Sequence, residues 1–360
     1  MARGRLAYQT QPGTVEIREY ELPTPRAGGL LLETVAAGIC GSDVHIFAGK
    51  HPLKKMALGH EIIARVTDPS TRPLDSAGVT LSEGDRVSVV YFQGCRHCPA
   101  CARGDYELCT TGYAKWMQSP DEFPHFVATC GTHYYLDPTQ AFFKVPDDVS
   151  SRAATSANCA LSQVFCGVDR AQVRAGNHVV IQGAGGLGLY ATAVAKERGA
   201  TVTVLDGADN RLETAKQFGA DHVVSLNEHP TVEERRDLVF DLTEGEGADI
   251  AFDLTGVPEA IVEGVRLLRT GGCYIEIGNV LPGTSIEFDF ADAARRAITI
   301  VPVIRYAPRY LRESLRFLSR NAHTLPLEQM IDRTFSLDEV TTAMEESRLR
   351  RLNRAAISFE

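Results

Sequence analysis

Residues 178–206, HVVIQGAGGLGLYATAVAKERGATVTVLD, decide the fold of this chain. An apolar run predicts a buried strand, a glycine-rich turn follows it, and the turn opens an amphipathic helix that leads into a second apolar strand. Strand, helix and strand joined by such short connections are typical of the βαβ unit of a parallel sheet. The stretch therefore predicts a doubly wound α/β domain around it.

The glycine turn, GAGGLG, predicts a dinucleotide site. Gly183, Gly185 and Gly188 have G-x-G-x-x-G spacing, with Gly186 and Leu187 between the last two. In this motif the first glycine permits a tight turn, the second lets a pyrophosphate approach the backbone, and the third allows close packing of helix on strand. Free N–H groups at the helix start then face the phosphate charge. The hexapeptide alone is a weak signal, but here the required strand and helix flank it.

Asp206 predicts which dinucleotide is preferred. It ends the second strand, eighteen residues after Gly188. An acid at this place accepts hydrogen bonds from an adenosine ribose and repels a 2′-phosphate, which favours NAD over NADP. Arg211, five residues later, offers a cation that softens the preference. A strand-to-helix turn with an incidental acid is the alternative, which the register of strand, glycines, helix and acid disfavours.

The pattern of predicted strands and helices changes near residues 160 and 302. Residues 1–160 contain short β-type runs divided by Gly and Pro, which predicts a β-rich, barrel-like module. Residues 161–302 alternate strand and helix patterns and predict the doubly wound parallel sheet. Residues 303–360 are too few to stand alone, and we expect them to complete the N-terminal module. The turn-rich segment 68–78 is predicted to be a surface loop.

Composition excludes several classes of function. The 360 residues carry a net charge of −9, with 44% hydrophobic and 23% charged residues. No basic footprint predicts a nucleic-acid partner, and no apolar run reaches the ~20 residues of a membrane span. No apolar segment follows the basic N-terminus, so we expect a soluble, cytoplasmic protein with no membrane partner. In that compartment the nine cysteines are metal ligands or buried residues rather than disulfides.

Four of the cysteines lie in the window GCRHCPACARGDYELC. Cys95, Cys98, Cys101 and Cys109 have the spacing C-x2-C-x2-C-x7-C. Four thiolates on one loop close a tetrahedral shell around Zn²⁺, which predicts a structural zinc site. An iron–sulfur cluster shares the first three positions, but the fourth spacing and the absence of Pro after Cys109 disfavour it. Unligated thiols are the remaining alternative.

Two further motifs carry a family resemblance. Cys40 lies in GICGSDVH and His60 in GHE, each at the end of a β-type run. With the glycine turn and the cysteine window, these motifs resemble those of the zinc-dependent medium-chain dehydrogenases/reductases, the alcohol dehydrogenase group, along essentially the whole chain. The resemblance implies a GroES-like β-barrel catalytic domain, 1–160 completed by 303–360, and a Rossmann NAD-binding domain, 161–302. It also implies a homodimer or a homotetramer.

The resemblance also implies a catalytic site with a second zinc ion. Cys40, His60 and Cys159 would be the ligands of the catalytic zinc, with Glu61 as an adjacent or exchangeable ligand. Ser42 and His45 would relay protons, and Asp43 would orient a ligand. Relatives acting on polyols or threonine typically carry a glutamate where Cys159 stands, so the cysteine favours the alcohol branch. The expected cofactors are two Zn²⁺ per subunit and NAD.

The implied reaction is hydride transfer between NAD and an alcohol or ketone, with a secondary or cyclic apolar alcohol favoured. Phe47, Tyr91 and Trp116 are candidates to line an apolar substrate pocket, with a place in the core as the alternative for each. A polyol or aromatic primary alcohol is the alternative substrate. A zinc-free quinone or enone reductase of the same superfamily and a nucleotide-binding relative without catalysis are the alternative classes.

Two departures from the family pattern shape further expectations. Gly41 stands where some relatives carry a basic pyrophosphate contact, so this role falls to backbone groups and to a C-terminal arginine, Arg350 or Arg354. The segment 68–78 is not part of the commonest pattern. The remaining cysteines, Cys130, Cys166 and Cys273, are expected to be packing residues.

Overall fold

The structure is a computed structural model that describes residues 2–52, 54–279, 283 and 285–360. The chain divides into two compact units. Unit 1 comprises Met1–Ser162 with Ala307–Glu360, and unit 2 comprises Gln163–Tyr306.

The described residues form these strands, in chain order: β1 (Arg3–Gln11), β2 (Thr14–Glu21), β3 (Leu30–Gly38), β4 (Met56–Ala57), β5 (Ile63–Val66), β6 (Arg86–Val89), β7 (His133–Leu136), β8 (Phe142–Lys144), β9 (His178–Gln182), β10 (Thr201–Asp206), β11 (His222–Ser225), β12 (Ala248–Asp253), β13 (Leu268–Glu276), β14 (Thr299–Pro302), β15 (Arg333–Phe335) and β16 (Ala355–Ser358).

The α-helices are α1 (Gly41–Phe47), α2 (Pro99–Ala102), α3 (Ser151–Ala154), α4 (Ser162–Arg170), α5 (Gly186–Glu197), α6 (Asp209–Gln217), α7 (Val232–Leu242), α8 (Glu259–Leu267), α9 (Phe290–Arg295), α10 (Arg309–Arg320) and α11 (Val340–Arg348). A π-helical turn spans Ala157–Leu161, and 3₁₀ turns span Tyr106–Leu108, Leu327–Met330 and Leu337–Glu339. Across the described residues, no helix is both long and apolar enough to cross a lipid bilayer.

Unit 2 is built on a parallel sheet whose strand order is β11-β10-β9-β12-β13-β14. The chain starts in the middle, winds outward to β11, and then returns to continue on the other side from β12. This is the doubly wound order, in which ligands bind at the carboxyl ends of the strands where the winding reverses. The two central strands, β9 and β12, are apolar and largely buried because helices cover both faces of such sheets.

Unit 1 contains a three-stranded antiparallel sheet, β2-β1-β4, and a larger sheet ordered β15-β16-β3-β5-β6-β8, with β7 also paired to β3. The strand β16, from the C-terminal segment, pairs antiparallel with β3. A core cluster around Ile39, Phe47, Met344 and Ile357 ties this segment to the N-terminal strands. The structure thus confirms the predicted class of fold, an α/β protein with a doubly wound parallel sheet and a β-rich domain.

Several side chains of the segment 68–78, among them Arg72 and Asp75, hold it against the rest of unit 1. Asp75 accepts hydrogen bonds from the backbone of Ala77, of Val79 just after the segment, and of Lys144. Arg72 donates to the backbone carbonyl of Gln140 at 2.9 Å and stacks over the ring of Phe142. The predicted surface loop is therefore anchored to unit 1 by buried and half-buried contacts.

Candidate active site

Four possible metal-binding side chains of unit 1 converge although they are far apart in sequence. Cys40 follows β3 and precedes α1, His60 and Glu61 lie between β4 and β5, and Cys159 lies in the π-helical turn. All four are buried, and one ligand atom from each lies within 4.8 Å of the others. The structure therefore brings together Cys40, His60 and Cys159, with Glu61 beside them.

The donor atoms have the spacing that a zinc ion requires. Cys40 Sγ lies 3.9 Å from Cys159 Sγ, and His60 Nε2 lies 3.3 Å from Cys159 Sγ. Two sulfur atoms bonded to one zinc at about 2.3 Å with tetrahedral angles are about 3.8 Å apart. Two thiols and an imidazole are also donors that suit zinc. The residues present thus fit a zinc ion with three protein ligands.

Asp43 links two of these donors. Its Oδ1 lies 3.0 Å from His60 Nδ1, and its Oδ2 accepts a hydrogen bond from the Cys40 backbone at 2.9 Å. When Nδ1 donates its proton to the carboxylate, Nε2 carries the lone pair and faces the cysteines. Metal-binding histidines are commonly oriented by a carboxylate in this way. Asp43 thus occupies the orienting position that the resemblance implied.

The electrostatics of the cluster favour one thiolate. A hydrogen bond with Cys159 lowers the pKa of Cys40 well below the usual thiol value, although burial opposes the shift. The same hydrogen bond and burial raise the pKa of Cys159. Burial lowers the pKa of His60, but the Asp43 carboxylate outweighs it and raises the pKa. A coordinating metal would deprotonate both thiols, because the thiolate is the form that binds metals.

Glu61 is bound by an arginine from the other end of the chain. Arg354 is buried, and its guanidinium donates a hydrogen bond to Glu61 Oε1. Burial raises the pKa of Glu61, and the charge of Arg354 opposes this shift. Arg354, one of the two arginines predicted to contact a pyrophosphate, is thus held in a buried ion pair, and its contact with a pyrophosphate stays a prediction. Arg350 is exposed.

Asn158 was not singled out by the sequence, although it lies beside Cys159. Its side chain donates to the backbone carbonyl of His60 at 2.9 Å and to that of Val89 at 2.8 Å. It therefore ties the π-helical turn to the strand connection that carries His60. A short polar residue within an apolar run was the available signal, since buried amides are kept only where they are hydrogen-bonded.

Ser42 and His45 lie on the short helix α1 that Cys40 begins. They are three residues apart, so they share one face of the helix. Both are half-buried. Burial, followed by the charge of Lys50, lowers the pKa of His45 below its usual value. His45 is therefore a neutral proton acceptor at pH 7.

Aromatic rings form one wall of the metal cluster. The ring of Tyr91 lies 4.9 Å from that of His60, and Trp116 lies 5.3 Å from it. Tyr113 stacks on Tyr91 at 6.2 Å and meets Trp116 edge-on at 5.8 Å. Trp116 is fixed by a hydrogen bond from its Nε1 to the carbonyl of Gly59.

The aromatic wall also borders a small cavity of about 50 Å³, lined by Tyr91, Trp116, Phe123, Val127, Tyr134 and Tyr135 together with polar residues at its rim. Phe47, by contrast, is 1% exposed and packs in the core with Ile46 and Met344. Of the three aromatic candidates, Tyr91 and Trp116 therefore lie at the cluster, and Phe47 is a core residue. Tyr113 was missed because a lone aromatic in a loop carries no periodic signal.

The four clustered cysteines form the second group of possible metal ligands among the described residues. Cys95, Cys98, Cys101 and Cys109 present sulfur atoms within 4.8 Å of one another, and the sulfurs of Cys95 and Cys101 are 4.0 Å apart. Backbone N–H groups of Cys98 and Cys101 point to the sulfurs of Cys95 and Cys98. This arrangement fits a tetrahedral Zn²⁺ with four thiolates.

Local hydrogen bonds favour the thiolate at two of these four cysteines, whereas burial raises the pKa of Cys101 to about 11. The backbone N–H of Cys101 lowers the pKa of Cys98. Burial opposes ionisation of Cys109, but hydrogen bonds from Thr111 and from the Cys95 backbone lower its pKa to about 6. Cys130 and Cys166, outside both clusters, are buried, and Cys273 is half-buried in β13.

The glycine turn of unit 2 has the conformation that its motif predicts. Gly183 has φ of 98° and donates to the carbonyl of Leu205, so its position requires glycine. A Cβ on Gly188 would overlap the carbonyl oxygen of Gly183, whereas a Cβ on Gly185 would meet nothing within 4 Å. Gly185 therefore leaves open backbone at the start of α5, with Gly186 and Leu187 in its first turn.

Asp206 ends β10 beside this turn. Its Oδ2 accepts a hydrogen bond from the backbone of Ala184 in the turn at 2.7 Å, and its Oδ1 accepts one from Ala208 at 2.8 Å. Each carboxylate oxygen retains a further lone pair for a ribose hydroxyl. Arg211 lies in the first turn of α6 and is half-buried.

Two family models match this chain. One is described as an alcohol dehydrogenase GroES-like domain and matches residues 26–147. The other is described as a zinc-binding dehydrogenase and matches residues 186–320. The first lies in unit 1, and the second begins at Gly186 of the glycine turn and covers most of unit 2.

Individual relatives agree with these models. The chain is 30% identical to the 5-exo-hydroxycamphor dehydrogenase of Pseudomonas putida over 96% of each protein. It is 30% identical to the sorbitol dehydrogenase of Bacillus subtilis over 92% of this chain and 90% of that one. A crystal structure of an alcohol dehydrogenase from Thermotoga maritima has a TM-score of 0.92 and 29% identity, covering 99% of this chain and 100% of that one.

These matches define an oxidoreductase built from a GroES-like domain and a zinc-binding dehydrogenase domain. The chain belongs to the zinc-dependent medium-chain dehydrogenase family, in its alcohol dehydrogenase group, which confirms the resemblance carried by its motifs.

Proposed function

We propose that this protein transfers a hydride between NAD and a secondary or cyclic apolar alcohol or its ketone, with one catalytic and one structural zinc ion per subunit. This proposal rests mainly on the cluster of Cys40, His60 and Cys159, which lies against a wall of aromatic rings. Zinc at this cluster would act as a Lewis acid toward the substrate oxygen, and the nicotinamide would accept or supply the hydride.

The residues of α1 supply the proton path. The Ser42 hydroxyl accepts the proton that leaves the substrate oxygen, and His45, neutral at pH 7, takes it toward solvent. Asp43 keeps His60 Nε2 aimed at the cluster throughout. Glu61 remains an ion-paired neighbour through Arg354.

Asp206 supports NAD as the coenzyme. Its carboxylate lies against the glycine turn, where a ribose 2′-phosphate would bring two negative charges together. Arg211 lies in the first turn of α6, which follows β10. If the protein uses NADP, Arg211 would be the residue that contacts the 2′-phosphate.

The aromatic wall supports an apolar substrate. Tyr91, Tyr113 and Trp116 present aromatic rings beside the metal cluster, which favours an apolar substrate. A relative named for the dehydrogenation of hydroxycamphor, a cyclic alcohol, agrees with this choice. A polyol is the second candidate, because a sorbitol dehydrogenase is equally similar to the chain.

We further propose that subunits associate into a homodimer or homotetramer through unit 2. The strand β14 is an edge strand of the parallel sheet, with Ile300 exposed on it. Phe290 on the neighbouring helix α9 is 74% exposed. An unpaired edge beside exposed apolar side chains favours pairing with a second copy. Light scattering coupled to size-exclusion chromatography measures the mass of the assembly. A monomer at the concentration used for the activity assay would contradict the proposed oligomer.

The test is a turnover assay with matched coenzymes. Purified protein is mixed with NAD or NADP and with cyclic, acyclic secondary, aromatic primary and polyol alcohols, while absorbance of the reduced coenzyme is followed. We expect NAD-linked turnover that is fastest with cyclic or acyclic secondary alcohols, and two zinc ions per subunit by elemental analysis. Cys40→Ser should abolish turnover and retain the structural zinc, whereas Cys98→Ser should lose the structural zinc. Turnover with polyols alone would overturn the substrate class.

A further inference from the structure

Two carboxyl groups lie side by side at the carboxyl edge of the unit 2 sheet. Asp253 ends β12, Glu276 ends β13, and the two residues are register partners in the parallel ladder. Register partners direct their side chains to the same face of a sheet. Asp253 is fully buried and Glu276 is half-buried. Like charges directly opposite each other destabilise a sheet, so the pair calls for a physical explanation.

The hydrogen bonds around the pair are unequal. Asp253 Oδ1 accepts from the backbone and the hydroxyl of Thr255 at 2.8 and 2.6 Å, and its Oδ2 accepts from Asn279 Nδ2 at 2.6 Å. Glu276 Oε1 accepts from the Asn279 backbone at 2.7 Å. Glu276 Oε2 is buried and has no hydrogen-bond partner among the described residues. That oxygen can donate to Asp253 only when it carries a proton.

Among the described residues, no cation forms an ion pair with Glu276. Asp253 on β12 is the charged group that faces it, and β14 carries no titratable side chain. The cation beside β14 is Arg170, which donates to the backbone carbonyl of Pro302, the register partner of Glu276. On the covering helix α8, Glu263 is already ion-paired with Arg235. Tyr274, two residues before Glu276 on the same face, donates to Gln182. Burial and the adjacent Asp253 raise the pKa of Glu276 to about 7.

The pair is continuous with the glycine turn. A Cβ on Gly183 would lie 3.0 Å from Thr255 Cγ2, so the turn rests on the segment that Asp253 holds. A Cβ on Gly278 would lie 2.6 Å from the Gly256 backbone N and 3.0 Å from Asp253 Oδ2. The segments 253–256 and 276–279 therefore approach each other closely at Gly256 and Gly278, beside the turn proposed to hold the pyrophosphate.

We propose that Glu276 and Asp253 share one proton and act together as a positioning pair for the nucleotide edge, so that a dinucleotide binds more weakly when the proton is lost. With the proton in place, Glu276 accepts a hydrogen bond from the Asn279 backbone and Asp253 accepts one from its side chain. The segment 276–279 then stays against the glycine turn. Without it, two adjacent anions repel each other and the segment shifts. The inference rests on the proposed function for the identity of the ligand.

The experiment measures NADH affinity by fluorescence titration between about pH 6 and about pH 8.5, on either side of neutrality, for the full chain and for Glu276→Gln. Gln keeps the shape of the protonated side chain and cannot ionise. We expect the dissociation constant of the natural protein to rise by about fivefold across this range, the lower end of typical coupling between sites. The Glu276→Gln protein should keep the low-pH affinity throughout. Glu246→Gln, an exposed acid at the opposite end of β12, is the matched control and should follow the natural protein.

The proton is also tested without nucleotide. A Glu with a raised pKa contributes stability below its unfolded value and loses it as pH rises through about 7. The Tm of Glu276→Gln should therefore equal that of the natural protein near pH 5 and exceed it at pH 8.5. If Tm depends on pH in the same way in the natural protein and in Glu276→Gln, the two carboxyl groups do not share a proton. If NADH affinity depends on pH in the same way in both proteins, the pair does not position the nucleotide edge. If no dinucleotide binds at any pH, both the proposed function and the effect of the proton on binding are wrong. The Tm profile then still tests whether Asp253 and Glu276 share a proton.

Discussion

At the scale of single residues, the metal cluster depends on side chains that touch no metal. Asp43 orients His60 and holds the Cys40 backbone, Asn158 ties the His60 backbone to the π-helical turn, and Arg354 occupies Glu61. Each is buried, so each contact is formed in a medium where an unpaired partner is costly. The ligand set is therefore held rigidly by hydrogen bonds from three separate parts of unit 1.

Asp43→Asn is expected to weaken zinc binding without unfolding the protein. The amide keeps the shape of the side chain but removes the charge that fixes the tautomer of His60. Loss of such an orienting carboxylate costs about 10- to 100-fold in metal affinity. Competition with a chromophoric chelator measures this loss. Ser42→Ala, one position earlier, is the control and should bind zinc normally; equal zinc affinity in all three proteins would contradict the role of Asp43.

His45 is expected to set the acidic limb of the pH profile for alcohol oxidation. Because burial lowers the pKa of His45, the imidazole is neutral at pH 7, and the rate should fall as pH drops through that lowered pKa. His45→Gln should reduce turnover by about a hundredfold, lose the acidic limb, and be partly rescued by added imidazole. His51→Gln, at a half-buried histidine just beyond α1, should retain the limb. The same limb in His45→Gln would exclude His45 from the path.

At the scale of elements, the glycine turn separates folding from binding. Gly188 is needed for the helix α5 to approach the turn, whereas Gly185 leaves backbone open to a ligand. Gly185 and Gly188 are three residues apart, yet folding requires glycine only at Gly188 and ligand access requires it only at Gly185.

Gly188→Ala and Gly185→Ala should therefore have opposite effects. The first places a methyl group on the Gly183 carbonyl and should lower the free energy of unfolding by about 1–3 kcal/mol. The second should leave Tm unchanged or slightly higher and weaken NADH binding by about tenfold, because the methyl occupies the approach of the pyrophosphate. Thermal melts with and without NADH distinguish the two. A lower Tm for Gly185→Ala without nucleotide would contradict this division.

The elements also show what the sequence can predict. The βαβ unit was predictable because period, turn and cap lie within 29 consecutive residues, 178–206. The pairing of Asp253 with Glu276 was not, since it depends on the register between two strands separated by a helix. Arg354 and Glu61 are 293 positions apart, and Phe47 has the same local pattern whether it faces a pocket or the core. Family motifs supplied the metal cluster, which local patterns alone leave open.

At the scale of the whole molecule, unit 2 is one continuous segment and unit 1 is assembled from two. The strand β16 enters the large sheet between β15 and β3, so the C-terminal segment belongs to the interior of unit 1. The metal cluster depends on this pairing as well, because Cys40 lies two residues after β3 and Arg354 directly precedes β16.

Ala356→Asp is expected to destabilise unit 1 and its metal cluster together. Ala356 is 2% exposed and pairs with Gly38 at the end of β3. An unpaired buried charge there should cost about 3–5 kcal/mol. Thermal melts and zinc analysis should show a lower Tm and loss of the catalytic zinc. Ser358→Asp, on the same face of β16 but half-exposed, is the control, and an equal loss in both proteins would contradict the importance of this pairing.

The two-segment construction of unit 1 has a consequence for biosynthesis. Translation delivers Cys40, His60 and Cys159 early, then all of unit 2, and only afterwards the residues that supply β16 and Arg354. Unit 2 can fold on the ribosome as it emerges, since domains fold as units in the order of synthesis. The pairing of β16 with β3 and the contact between Arg354 and Glu61 can form only after residues 307–360 have left the ribosome, so unit 1 is completed last.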